Sequence, residues 1–116
     1  MKTGIGLFFW LWSTVVFADP FIIQVLDRSM RIDAPEKRVS AISVVIENKS
    51  LADQVAKFVL DGKILKFASV KSGKTETIYL ENKSASANIL FVPLAPAAQE
   101  IELRFGVKAY EIPSQE

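Results

Sequence analysis

Apolar and polar residues alternate at every second position along most of the chain beyond residue 20, and this period constrains the fold more than any other feature. The run Ile42 to Ile46 alternates in this way, as do the runs 21–25 and 100–105. Alternation places the apolar side chains on one face of a β-strand. Turn residues such as Asp61-Gly62 separate the runs, and no stretch sustains a helical period. The sequence therefore predicts an all-β fold, either an antiparallel β-sandwich or a small barrel.

Residues 1–18 differ from the rest of the chain and are predicted to be an export signal. Lys2 precedes an apolar stretch from Ile5 to Phe17, and Ala18 is the small residue that a signal peptidase reads. We therefore expect cleavage after Ala18, a mature β-sandwich domain of residues 19–116, and export to the periplasm, with the cell surface or the extracellular space as alternatives. An uncleaved anchor is the alternative for the segment itself. Because a spanning helix needs about 20 apolar residues, we expect no transmembrane span in the mature protein.

The composition excludes several kinds of active site. The chain has no His and no Cys, which removes Ser-His-Asp triads, thiol nucleophiles and zinc fingers. Removal of Lys2 with the signal leaves 13 basic and 13 acidic residues, and a neutral domain argues against nucleic-acid binding. The aspartates are scattered rather than clustered in one loop of oxygen ligands, so no metal site is expected. No cofactor is expected either, because the isolated glycines form no phosphate-binding loop.

Asp61-Gly62 lies between two alternating runs and predicts a two-residue hairpin turn, because both turn positions need positive φ. The implied facing pairs are Leu60 with Lys63, Phe58 with Leu65, and Ala56 with Phe67. A second tight turn at Ser72-Gly73 would place Phe67 opposite Ile78 and Leu65 opposite Leu80. In that meander, Leu65 and Phe67 point into the core.

The opposite side of the predicted meander is the candidate partner-binding surface. Its members are Lys57, Val59, Ile64, Lys66 and Tyr79. Lys57 lies opposite Lys66 in this register, and like charges so placed repel each other by up to about 1 kcal/mol. Apolar residues between the lysines are typical of a protein contact. We therefore predict binding of an anionic partner, either a protein or a surface. The alternative is that the lysines serve solubility and protect an outer strand from aggregation.

Two pairs of side chains offer a catalytic alternative. Glu100 and Glu102 share a strand face about 7 Å apart, a spacing that glycosidases use, although alternation with apolar residues is also typical of a solvated face. Tyr79 and Lys66 suit either an acid–base pair or a cation–π contact. We expect no catalytic residues and a non-enzymatic binding or assembly module. A subunit or chaperone-like accessory of a surface polymer is one alternative, and a small carboxylate-dependent hydrolase is the second.

Asn-Lys-Ser occurs at 48–50 and again at 82–84, each time between two apolar runs. Such residues favour turns, and we expect each loop to cross from one sheet to the other. Both triplets also match the N-glycosylation acceptor pattern. The segment Ser43 to Ser50 is similar to the strand and Asn turn of many immunoglobulin-like bacterial domains, including the N-terminal domain of periplasmic pilus chaperones, and Ile112-Pro113 is similar to their linker. The resemblance implies an immunoglobulin-like antiparallel β-sandwich of about seven strands, and it assigns no function to any residue.

Overall fold

The computed structural model describes residues 19–84, 86–106 and 110–113, so the predicted export signal at 1–18 lies outside the described residues. The described residues form strands and no helix. The strands are β1 (Phe21–Val25), β2 (Ser29–Asp33), β3 (Ala41–Asn48), β4 (Gln54–Leu60), β5 (Lys63–Val70), β6 (Thr75–Glu81), β7 (Leu90–Ala95), β8 (Ile101–Glu102) and β9 (Tyr110–Pro113). The all-β prediction is therefore confirmed. Among the described residues, there is no helix with the length and apolar character needed to cross a membrane.

The strands form two sheets. The five-stranded sheet has the order β6-β3-β1-β2-β9, and the four-stranded sheet has the order β5-β4-β7-β8. Neighbouring strands are antiparallel except β1 and β3, which run parallel with Phe21 beside Val44. The expectation of a purely antiparallel fold is wrong at this pair. The cause is β2, which returns the chain beside β1 so that β3 starts from the same end of the sheet as β1.

The inward faces of both sheets share one hydrophobic core, which is consistent with a β-sandwich. Phe21 and Phe58 are its largest fully buried side chains. The Phe58 ring lies 5.4 Å from that of Phe91, and the Phe21 ring meets Phe105 edge-on at 5.1 Å, both within the range of favourable ring pairs. Alternate residues of β1, β3 and β4 are buried, as the sequence pattern predicts.

Both Asn-Lys-Ser triplets carry the chain from the five-stranded to the four-stranded sheet, which confirms that prediction. Asn48 and Asn82 make the same local turn. The side-chain oxygen accepts a hydrogen bond from the backbone NH two residues later, at 3.0 Å in the first turn and 2.9 Å in the second. The side-chain NH₂ donates to a later backbone oxygen, at 2.9 Å and 3.0 Å respectively. Both residues are buried, so the nitrogen that a glycan would need is enclosed in the folded chain.

The turn between β4 and β5 has the predicted form. Asp61 and Gly62 both have positive φ, 52° and 78°. A type I′ turn requires this conformation, which Gly adopts without steric cost and Asp tolerates. The pairs next to the turn are Leu60 with Lys63 and Val59 with Ile64, also as predicted.

Beyond those two pairs the predicted register is wrong. Leu65 is the extra residue of a β-bulge, which shifts the pairing of β5 with β4 by one position. Because successive side chains point to opposite faces, this shift turns the remainder of β5 over. Ala68 and Val70 are buried, while Phe67 is 60% exposed and Leu65 is 37% exposed. The prediction that Leu65 and Phe67 are core residues is therefore wrong.

The predicted pairing of β5 with β6 is also wrong, because β6 pairs with β3 in the other sheet. A tight turn is present, with the Lys74 NH donating to the Lys71 oxygen at 2.9 Å. Its position is set by Asn48, whose backbone oxygen accepts from the Gly73 NH at 2.8 Å and whose NH donates to the Lys74 oxygen at 2.9 Å. These bonds hold the turn against the end of β3, so the chain continues into the five-stranded sheet.

Candidate protein-binding face

The structure divides the five predicted partner-binding residues between two places. Lys57, Val59 and Ile64 lie on the outer side of the four-stranded sheet. Lys66 pairs with the buried Phe58 instead of Lys57, and Tyr79 lies on β6 of the other sheet. The predictions that Lys57 opposes Lys66 and that all five residues share one face are therefore wrong. The bulge at Leu65 moves every later β5 residue, including Lys66, to the other side of the sheet, and Tyr79 is separated because β6 pairs with β3.

The outer side of the four-stranded sheet is mainly apolar, and we call it the apolar face. Its members are Val55, Lys57, Val59, Ile64, Phe67, Ser69, Leu90 and Val92. Cross-strand pairs define it, because directly paired residues point to the same side of a sheet. Phe67 and Ile64 are its most exposed large side chains, at 60% and 49%.

Sequence reasoning missed Phe67, Leu90 and Val92 as members of this face. Phe67 was assigned to the core because the register ignored the bulge. Leu90 and Val92 belong to the run 89–94, which is apolar at every position, so alternation does not show which side chains face outward. The burial of the alternate residues Phe91 and Pro93 shows it, and that signal comes from the structure and not from the sequence.

Lys57 occupies the centre of the apolar face. It pairs with Phe67 on one side and with Val92 on the other, and it is half-buried between them. The ion pairs among the described residues join Lys49 with Glu47, Lys83 with Glu81 and Arg104 with Glu102, and none involves Lys57. A cation held among apolar side chains is suited to a carboxylate brought by another molecule.

Glu102 pairs with Leu90 at the rim of the apolar face. Its carboxylate accepts hydrogen bonds from Asn88 Nδ2 at 3.0 Å and from Arg104 Nε at 3.0 Å. The hydrogen bond from Asn88, and then that from Arg104, lowers the pKa of Glu102 below its ordinary value. A glycosidase acid needs the opposite shift, so Glu102 does not suit the acid role in the Glu100–Glu102 hydrolase alternative, although it would suit that of the ionised partner.

Lys66 and Tyr79 line a groove of about 530 Å³ beside the edge strands β5 and β6. Lys63 and Lys83 also line it, together with the acidic residues Asp61 and Glu81. Leu60, Leu65 and Leu80 supply apolar wall between these charges, so the groove carries charges of both signs, whereas the apolar face has one central cation. The two surfaces meet along β5, whose first five residues are all exposed.

Within the described ranges, no group of three acidic side chains is placed to hold a metal ion. Comparison of the chain with protein-family models, curated proteins and solved structures finds no match.

Proposed function

We propose that this protein is an exported, non-catalytic binding module of immunoglobulin-like fold that contacts a partner protein through its apolar face. The observation that carries the proposal is the exposure of Phe67 and Ile64 beside a row of half-buried apolar side chains. Protein contacts are built from such centres, in which aromatic residues contribute most of the binding energy.

The strand pairing supports the immunoglobulin-like assignment. In immunoglobulin domains the second and fifth strands are neighbours in one sheet, and the third and sixth are neighbours in the other. Here β3 pairs with β6 and β4 pairs with β7, with crossings between the sheets at both Asn-Lys-Ser turns. The added β1–β2 hairpin and the parallel β1–β3 pair are departures from that scheme.

Lys57 indicates the chemistry of the partner. Burying the apolar face would remove the Lys57 ammonium from water, and a buried charge is costly unless it is paired. A partner surface of apolar side chains around one carboxylate would pair it. The proposed contact therefore retains the anionic partner of the sequence prediction and places it around Lys57 alone.

Site-specific photo-crosslinking in living cells tests the contact surface. A photoreactive phenylalanine analogue at position 67 should crosslink the partner, which mass spectrometry then identifies. Position 79 is the matched control, because Tyr79 is also an exposed aromatic residue on an edge strand but belongs to the other sheet. Crosslinks at 79 with none at 67 would refute the apolar face as the contact.

A second candidate function is assembly into a surface polymer by strand addition at β5. The supporting observation is that β5 is an eight-residue edge strand beside an open groove, and an unpaired edge can pair with a strand of another chain. In this case the crosslinked product at position 79 would be a second copy of this chain, in a ladder of sizes. A single heterologous product at position 67 argues for the first candidate.

Export is tested separately by the intact mass of the protein recovered from outside the cytoplasm. Cleavage after Ala18 gives a chain that begins at Asp19 and lacks Trp10 and Trp12. A recovered species that retains both tryptophans would contradict cleavage and favour the anchor alternative.

A further inference from the structure

A cavity of about 260 Å³ lies at the end of the sandwich where β4 begins, whereas the groove beside Lys66 lies where β4 ends. Its walls come from three loops, which follow β1, β3 and β7. Most of the lining is apolar and includes Val25, Met30 and Ile101. An apolar cavity of about 150 Å³ is enough to hold benzene, and drug-sized pockets start near 300 Å³. This cavity therefore suits a ligand slightly larger than one aromatic ring.

Gln54 and Asp27 contribute hydrogen-bond acceptors to the lining. Gln54 is 9% exposed and uses its side-chain NH₂ toward Ser50 Oγ at 3.3 Å and the Ala52 oxygen at 3.5 Å. Among the described residues, no donor is bonded to Gln54 Oε1. In the part of the chain that the structure describes, every buried side-chain polar atom has a hydrogen-bond partner, so the unbonded Gln54 Oε1 is accessible, and the accessible space beside Gln54 is the cavity.

Asp27 is the only charged residue in the described lining. One of its carboxylate oxygens accepts from the Leu51 NH at 3.0 Å, which fixes the carboxylate at the rim. The second oxygen has no hydrogen-bond donor among the described residues. The same bond holds Leu51, which is 89% exposed, at the mouth of the cavity.

We infer that this cavity binds a small apolar amine, with the apolar body against Val25, Met30 and Ile101 and the ammonium hydrogen-bonded to Asp27 and Gln54. The apolar walls favour the body of such a ligand. The two free acceptors and the single negative charge select a cationic donor over a neutral group, and an anion is rejected by Asp27. The site is separate from the apolar face, and its occupation does not depend on the proposed protein contact.

Titration with three matched probes tests the inference on protein purified from cells that express the full chain. The probes are 2-phenylethylamine, the neutral 2-phenylethanol and the anion phenylacetate, and NMR shifts of the Gln54 side-chain amide and the Ala98 backbone report occupation. We expect the amine to bind at least about tenfold more tightly than the alcohol, the gain of one charge-assisted hydrogen bond. Equal affinity for amine and alcohol, or no shift at these residues with any probe, would overturn the inference.

Asp27→Asn is the decisive variant, because its amide oxygen still accepts from the Leu51 NH while the charge is lost. The preference for the amine over the alcohol should then disappear. Asp53→Asn is the matched control, since Asp53 makes the equivalent bond to the Ser72 NH at 2.9 Å and does not line the cavity. That variant should keep the preference. Loss of the preference in both variants, or in neither, would refute the role of Asp27.

Ala98→Leu supplies a second test that is independent of charge. Ala98 lines the cavity, and a larger side chain there should weaken binding of all three probes by occupying their space. Unchanged affinity in a folded Ala98→Leu protein would show that the probes bind elsewhere.

Discussion

The two sheets bury similar inner faces but present different outer faces. On the five-stranded sheet, the outward side chains include Gln24, Arg31 and Glu47, and Gln24 Nε2 donates to Glu47 Oε1 at 3.0 Å. On the four-stranded sheet, the outward positions are the apolar face, interrupted by Lys57. One outer face is thus largely polar and the other largely apolar.

This difference distinguishes the residues that the fold requires from those that are available for binding. A core needs only the inward residues of each strand, and the five-stranded sheet shows that its polar outer side is compatible with the same fold. Exposed Phe67 and Ile64 contribute little to that core and increase the risk of aggregation. They lie next to half-buried apolar neighbours, whereas the exposed Tyr79 of the other sheet pairs with Ser43, so the four-stranded sheet is the better candidate for a contact surface.

The largest expected effect is a loss of stability at the turn that begins at Asn48, where the chain passes from the five-stranded to the four-stranded sheet. Asn48 makes four side-chain hydrogen bonds there, at 2.6 to 3.0 Å, and one of them joins β3 to the end of β5 at Val70. Asn48→Ala leaves buried backbone groups unpaired and should lower the free energy of unfolding by about 3 kcal/mol. Urea denaturation measures the loss.

Asn82→Ala is the control for this prediction. Asn82 makes the equivalent turn with two hydrogen bonds, at 2.9 and 3.0 Å, so its loss should be about 1.5 kcal/mol. An equal loss in both variants would show that the extra hydrogen bonds of Asn48 add no stability and that the turns at Asn48 and Asn82 contribute equally to folding.

The next largest effect tests the two outer faces directly. Phe67→Thr should weaken binding of the partner captured at position 67 by about 30-fold, the effect of removing one central aromatic residue from an interface. Tyr79→Thr should leave that affinity unchanged, because Tyr79 lies on the other sheet. Isothermal titration measures both. Thr retains the β-branched side chain that strands favour, so both variants should fold.

The sequence was sufficient to predict the features that depend on local chemistry. Alternation identified the inward residues of β1, β3 and β4, Asp61-Gly62 specified its turn, and each Asn-Lys-Ser triplet marked a crossing. In these cases the residue type determines the backbone conformation within a few positions.

Neither the bulge at Leu65 nor the pairing of β6 with β3 could be predicted from local residue types. Leu65 has no feature that distinguishes it from the apolar residues around it, because a bulge is selected by how the whole strand packs. The Ser72-Gly73 turn is compatible with either sheet, and its direction depends on backbone bonds to Asn48, about 25 residues away in the chain. The predicted site depended on the predicted register of β5 and β6. Lys57, Val59 and Ile64 therefore do share one face, while Lys66 and Tyr79 lie elsewhere.

A smaller effect is expected from the central cation of the apolar face. Lys57→Gln should weaken partner binding by about fivefold and reduce its salt dependence, since one charge-assisted contact is lost. Lys66→Gln is the control and should change neither quantity, because Lys66 faces the groove. Because the two lysines do not oppose each other, each variant should keep the stability of the wild type within about 0.5 kcal/mol. Equal losses of affinity in both variants would place the contact along the β5 edge instead.

The smallest expected effect is a pH dependence at the rim of the apolar face. The lowered pKa of Glu102 means that the folded state stabilises its ionised form, through Asn88 first and Arg104 second. That contribution is present above the ordinary value of 4.5 and is lost as the pH falls through the lower folded value. The wild type should therefore lose more thermal stability between neutral and strongly acid pH than Glu102→Gln, which has no carboxylate at this position. Calorimetric Tm values of both proteins measure the difference. Parallel pH profiles would show that ionisation of Glu102 contributes nothing to the stability of the fold.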